Sequence, residues 1–175
     1  MARVGDVIEN PAMGGSLEFR RIEATGEGSV LEFDLFLRPG GVIFTEHVHP
    51  RQVERFEVIS GAVQGHVERK PQTLGAGGTN VVTAGVAHAW WNAAEHETHL
   101  RVQFRPALNT AEMIETAFAL ARDGRADDTG VPRFPHSLGL LLAFPDEFRP
   151  ARMPALAHRI ALRALPMLSQ RLRRR

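Results

Sequence analysis

The sequence contains no cysteine, which excludes disulfides, thiolate zinc sites, iron–sulfur clusters and a cysteine nucleophile. Any metal must therefore sit on histidine and carboxylate groups. No stretch approaches ~18 uninterrupted apolar residues. The N-terminus carries Asp6 early and no apolar run leading to a cleavage site, so neither membrane spanning nor export is expected. Basic charge is scarce over most of the chain. Residues 151–175 hold seven arginines and no acid, which leaves 14 basic and 20 acidic residues, a net −6, for residues 1–150. A mildly acidic body argues against nucleic acid as a partner. The expectation is a cytoplasmic protein.

What is present suits one domain with an appendage: 175 residues, 43% hydrophobic and 23% charged. A chain of this size buries roughly 70% of the surface its unfolded form exposes, so it can build a real core. Segments 16–25, 29–37, 41–49, 55–60, 63–68, 80–83, 87–91 and 99–105 are mostly rich in Val, Phe, Leu and Ile with partial alternation. Turn signals separate them, among them Pro39-Gly40-Gly41 and Gly75-Ala76-Gly77-Gly78. Many short strands with no helical run before residue 110 predict an all-β sandwich or small barrel over residues 1–106.

After Pro106 the period changes. Asn109 to Glu112 reads as a capping box, and Met113, Ile114, Ala117, Phe118 and Ala121 mark one helical face that ends at Gly124. Two further helical segments are expected, Ser137–Phe144 and Met153–Arg173, which makes residues 107–175 a helical extension. Its apolar residues, Leu140, Leu141, Phe144, Leu156 and Ile160, are expected to pack on the barrel with the arginines in water. Membrane contact through the basic C-terminal helix is the weaker reading.

Chemistry concentrates in Gly41 to Gly61. On a strand, residues two apart share a face, so His47 and His49 present two imidazoles side by side, a ready chelate for a divalent metal. Glu54 opens the next strand after a Pro-containing link, and an antiparallel neighbour would set its carboxylate beside the pair. Glu57, of opposite parity, is the competing acid. A second cluster offers Gly85 for a tight turn, then His88 and Asn92. Ile43 and Thr45 beside His47, Phe56 and Val58 beside Glu54, and Trp90 on the face of His88 are candidate pocket walls; Trp91 faces the other way. Walls this apolar favour an organic or aromatic substrate over a highly charged one. His66, His96, His99, His136 and His158 have no companion at ligand spacing and read as surface or packing residues.

At these residues the chain resembles the cupin superfamily, whose motifs are G(X)5HXH(X)3-4E(X)6G and G(X)5PXG(X)2H(X)3N. Gly41, His47, His49, Glu54 and Gly61 match the first; Gly77, Gly85, His88 and Asn92 match the second, and Thr83 stands where the family has proline. The resemblance covers residues 30–106. It implies a double-stranded β-helix, or jelly roll, with one metal held by His47, His49, Glu54 and His88. Three imidazoles and a carboxylate suit Fe, Mn, Ni, Cu or Zn and leave open positions, a catalytic rather than a closed structural arrangement.

The family includes dioxygenases, oxalate-degrading enzymes, sugar isomerases and non-enzymatic binding proteins. The leading expectation is a mononuclear metal enzyme of dioxygenase type acting on a small organic molecule, with Glu54 able also to serve as base. The alternatives are a non-enzymatic metal- or small-molecule-binding protein and an isomerase. A homodimer is expected, joined through strands within residues 16–37, because pairing or covering an open sheet edge is the common remedy for its unpaired backbone groups.

Overall fold

The computed structural model describes residues 1–23 and 28–154. Two antiparallel sheets face each other. The first contains six strands in the order β1 (Val7–Asn10), β2 (Gly15–Ile22), β3 (Leu31–Leu37), β10 (Thr98–Arg105), β5 (Val53–Ser60) and β8 (Thr79–Val82). The second contains β11 (Arg149–Pro150), β4 (Val42–Val48), β9 (His88–Asn92), β6 (Ala62–Val67) and β7 (Lys70–Gly75). This is the expected β jelly roll.

Strand alternation builds the interior. In β5, Glu54, Phe56 and Val58 are buried between exposed Val53, Arg55 and Ile59, so one face enters the core and the other meets solvent. Leu17 and Phe19 of β2, Leu31, Phe33, Leu35 and Leu37 of β3, and Leu100, Val102 and Phe104 of β10 complete the inner face. Helix α1 (Thr110–Arg122) packs against β1 and adds Met113, Ile114, Ala117 and Phe118 to the same core.

Four features differ from the sequence reading. The capping box does not form: the backbone N and Nδ2 of Asn109 both donate to Glu147 Oε1, at 3.0 and 3.2 Å, so a distant carboxylate takes the backbone N–H that Glu112 would hold in a capping box. Strands β1, β7 and β11 were not expected, because Val-Ile-Glu-Asn, Lys-Pro-Gln-Thr-Leu-Gly and Arg-Pro carry too few apolar residues to announce a strand. The segment after Pro106 is consequently not purely helical, since β11 returns to pair with β4. Finally, the outer strand next to β2 is β1, which pairs with residues 15–18, so the first half of β2 is covered on both sides and is not a sheet edge.

Helix α2 (His136–Ala143) lies where expected and Phe144 is buried, but Leu140 and Leu141 are only half-buried. Leu156, Ile160 and most of the expected helix over 153–173 lie outside the described residues, as does the end of the strand expected over 16–25.

On the outer face of the first sheet, the buried carboxylate of Asp34 accepts from Arg20 Nε at 2.7 Å and from Arg101 Nε at 3.0 Å. Burial alone would raise its pKa, yet the Arg101 and Arg20 contacts outweigh burial and hold it below the ordinary 3.8. A depressed carboxyl pKa stabilises the fold above the unfolded value and loses that contribution as pH falls through the folded one. Asp34→Asn is therefore expected to cost about 1–2 kcal/mol at pH 7, the low end for charged hydrogen bonds because both guanidiniums are roughly two-fifths exposed. The gap from the parent should narrow in urea unfolding below about pH 4; a gap independent of pH would show that the carboxylate charge is not the source.

Candidate metal centre

The site forms between the sheets. His47 of β4 is the cross-strand partner of His88 of β9, and His49 lies one residue past the end of β4. Glu54 reaches them from β5 in the opposite sheet, not from a neighbouring strand as the sequence had suggested. The two sheets thus close on one another through their polar groups as well as their cores. All four side chains are buried, and one ligand atom from each lies within 4.8 Å of every other. Glu57 faces the other side of β5.

Each imidazole is oriented by the backbone. Nδ1 of His47 lies 2.8 Å from Thr45 O, that of His88 3.0 Å from Val86 O, and that of His49 2.7 Å from Glu147 O. A carbonyl can only accept, so all three Nδ1 atoms carry the proton. In the neutral rings Nε2 is then a bare lone pair, and all three lone pairs converge. The Nε2 atoms of His47 and His49 stand 3.1 Å apart, and His88 Nε2 lies 2.8 Å from Glu54 Oε2. Neither of these last two atoms has an aligned hydrogen bond, although both are fully buried.

Lone pairs facing one another in a buried space are a cost unless a cation lies between them. Donors each ~2.0–2.2 Å from one ion stand about 2.8–3.6 Å apart at octahedral to tetrahedral angles. The observed separations of 2.8, 3.1 and 3.5 Å follow that spacing closely. The residues therefore suit a divalent transition metal. Backbone carbonyls behind ligating histidines also fix the tautomer in the way metal sites require.

The electrostatics are consistent with this chemistry. Burial, reinforced by His49 and His88, pushes the His47 imidazole well below its ordinary value and keeps it neutral. Burial opposes the Glu54 carboxylate, but His49 and His88 outweigh it and hold the group ionised, well below its ordinary value. Burial likewise opposes the His88 imidazolium, and the Glu54 carboxylate more than compensates, raising the pKa.

Residues 34–102 match the family model described as Cupin domain. This part of the chain is a cupin domain. Among solved structures, KdgF from Halomonas is 18% identical with a TM-score of 0.50, covering 56% of this chain and 84% of that one. An RmlC-like cupin from Shewanella frigidimarina is 19% identical with a TM-score of 0.50, covering 59% and 86%. Identities this low show a shared fold alone. None of the curated proteins matches the chain.

The remaining cupin motif positions have visible jobs. Gly85 takes φ +82° and its N–H donates to His49 O at 2.9 Å, so the turn before His88 is tied to the first histidine pair. That turn also closes without the family's proline, through Val86 N to Thr83 O at 3.2 Å. Asn92 Nδ2 donates to Leu37 O and His96 O, both at 2.8 Å, pinning the end of β9.

A cavity of about 40 Å³ is lined by three of the four donors, His47, His49 and Glu54, together with Phe33, Ile43, Val102, Phe104, Met113 and Phe148 among others. Of the residues expected to wall it, Ile43 does so. Thr45 is exposed and lines a neighbouring pocket instead. Phe56, Val58 and Trp90 are buried in the core away from the cavity lining, and Phe56 meets Trp90 edge-on at 4.7 Å. Shared parity put them on the right face, but the two rings pack on each other.

Sequence reasoning missed Phe148 and Glu147. The ring of Phe148 stacks on His47 at 5.2 Å and 25°, while Glu147 supplies the carbonyl that orients His49. They lie 98 or more residues from the histidine pair, in a stretch with no motif; the one local cue is a Phe-Pro-acid-acid-Phe cluster, Phe144 to Phe148, after an apolar helix.

Proposed function

We propose that this cupin is a mononuclear metal-dependent enzyme acting on a small, largely apolar organic molecule, with oxygenation as its reaction. The observation that carries the reading is the convergence of three backbone-oriented Nε2 atoms and one ionised carboxylate beside a cavity whose other walls are apolar except for Thr110. His47, His49, Glu54 and His88 would hold the ion. A divalent transition metal bound there supplies Lewis acidity and, when redox-active, electron exchange with dioxygen. Phe44, Phe148 and Met113 exclude water from the donors and present hydrocarbon to the ligand. The ionised carboxylate of Glu54 is placed to accept a proton from a bound substrate, with His88 as its neighbour.

The test is oxygen uptake by protein loaded in turn with Fe, Mn, Ni, Cu and Zn and offered a panel of small alcohols, phenols and carboxylic acids. Substrate-dependent consumption that disappears in His47→Ala supports the proposal. One ion per chain with no consumption and no product under any loading overturns it and leaves a binding role.

A further inference from the structure

A second, larger apolar pocket of about 80 Å³ lies beside the metal cavity, beneath α2. Phe44, Met113 and Phe148 line both spaces, so the partition between them is built from these three side chains. The rest of the larger pocket comes from α1, α2 and the loop between them, including Ala117, Pro132, Leu140 and Leu141, with Thr45 of β4 and Pro150 of β11. Among the described residues no charged side chain lines it, and Thr45 and Ser137 are its polar residues.

The partition is held in an unusual conformation. Phe44 sits in the irregularity of β4 between Ile43 and His47 and takes φ +54°, a region that bulky residues rarely occupy. Backbone strain of this kind collects where a side chain must be aimed. Here it turns the Phe44 ring toward His47, at 6.2 Å, and toward Phe148, at 6.0 Å.

We infer that the pocket beneath α2 holds a short aliphatic group of a ligand whose polar end enters the metal cavity past Phe44 and Phe148. The inference rests on the metal cavity being the reactive site and adds the substrate's chemical class: an uncharged alkyl chain of a few carbons joined to an oxygen-bearing head. Size selects alkyl over aryl, because a buried apolar cavity that takes benzene measures ~150 Å³, about twice this one. Charge selects against a second ionised group, which would find no partner among these walls.

The experiment titrates the metal-loaded, full-length protein with acetate, butanoate, hexanoate and octanoate, and the metal-free protein with the 1-alkanols from propanol to octanol, followed by ligand-observed NMR. Affinity should climb about fourfold per methylene, the worth of a buried CH₂ at ~0.8 kcal/mol, and level off once the chain fills the pocket. Leu141→Trp should flatten the slope while leaving acetate affinity and metal stoichiometry unchanged, and Ser137→Phe provides the same obstruction from another wall. A rising alkanol series in a protein that takes up no metal supports the pocket and overturns only the metal reading. A flat series in the parent protein, or a slope that both obstructing variants leave intact, overturns the inference.

Discussion

Stripping divalent metal with a chelator should lower the melting temperature by about 8–16 °C relative to protein held at a thousandfold excess of ion over its dissociation constant. Binding to the folded state alone contributes RT ln(1 + [L]/Kd), about 4 kcal/mol at that excess, and a chain of this size shifts ~2–4 °C per kcal/mol. His88→Ala or His47→Ala should abolish the gain, because each removes a buried donor. The gain should also grow with pH. In the metal-free protein His88 has a raised pKa, so its pairing with Glu54 stabilises the fold below the ordinary imidazole value of 6.5 and is lost as pH rises through the raised value. Metal binding requires that same proton to leave. Loaded and stripped protein should therefore converge in acid and diverge as the pH rises. Identical melting with and without every one of Fe, Mn, Ni, Cu and Zn would end the metal reading.

The four-residue cluster was legible in the sequence partly from short-range geometry and partly from the resemblance to the cupin motifs, whose spacing singled out Glu54 and His88. His47 and His49 share a face by strand parity, Glu54 is the inward residue of a cleanly alternating strand, and Gly85 signals the turn that delivers His88. The strands were legible wherever one face is buried against the core. What could not be read is what depends on contact between distant segments. Nothing local says that Glu54 belongs to the opposing sheet, that Phe148 stacks on His47, or that Glu147 both orients His49 and replaces the expected cap at Asn109. Phe56 and Trp90 show the limit from the other side. Parity placed them inward correctly, but the choice between lining a cavity and packing on each other is made by volume, and volume is not written in a period of two.

That packing leaves Gly65 the least room for a side chain of any described glycine. Gly65 of β6 is buried and registers against Trp90 of β9, and the indole lies where a side chain at 65 would project. A Cβ there would overlap the Ala89 carbonyl oxygen and stand 2.5 Å from the Trp90 ring. The ring cannot simply swing aside, since Phe56 packs against it and both are only 2% exposed. Overpacking a core costs ~1–3 kcal/mol when side chains alone must give, and more when backbone must move. Here the obstacle includes a carbonyl of the ladder, so β6 and β9 must part. Gly65→Val is expected to lose about 3 kcal/mol or more, with melting lowered by ~6–12 °C. It should also weaken metal uptake, because the displaced strand carries His88. Gly75→Val is the matched control: a Cβ on Gly75 meets nothing within 4 Å, so stability should stay within about 0.5 kcal/mol of the parent. Should Gly65→Val melt with the control and bind metal as tightly as the parent, the indole is not wedged against β6, and the position of His88 does not depend on that contact.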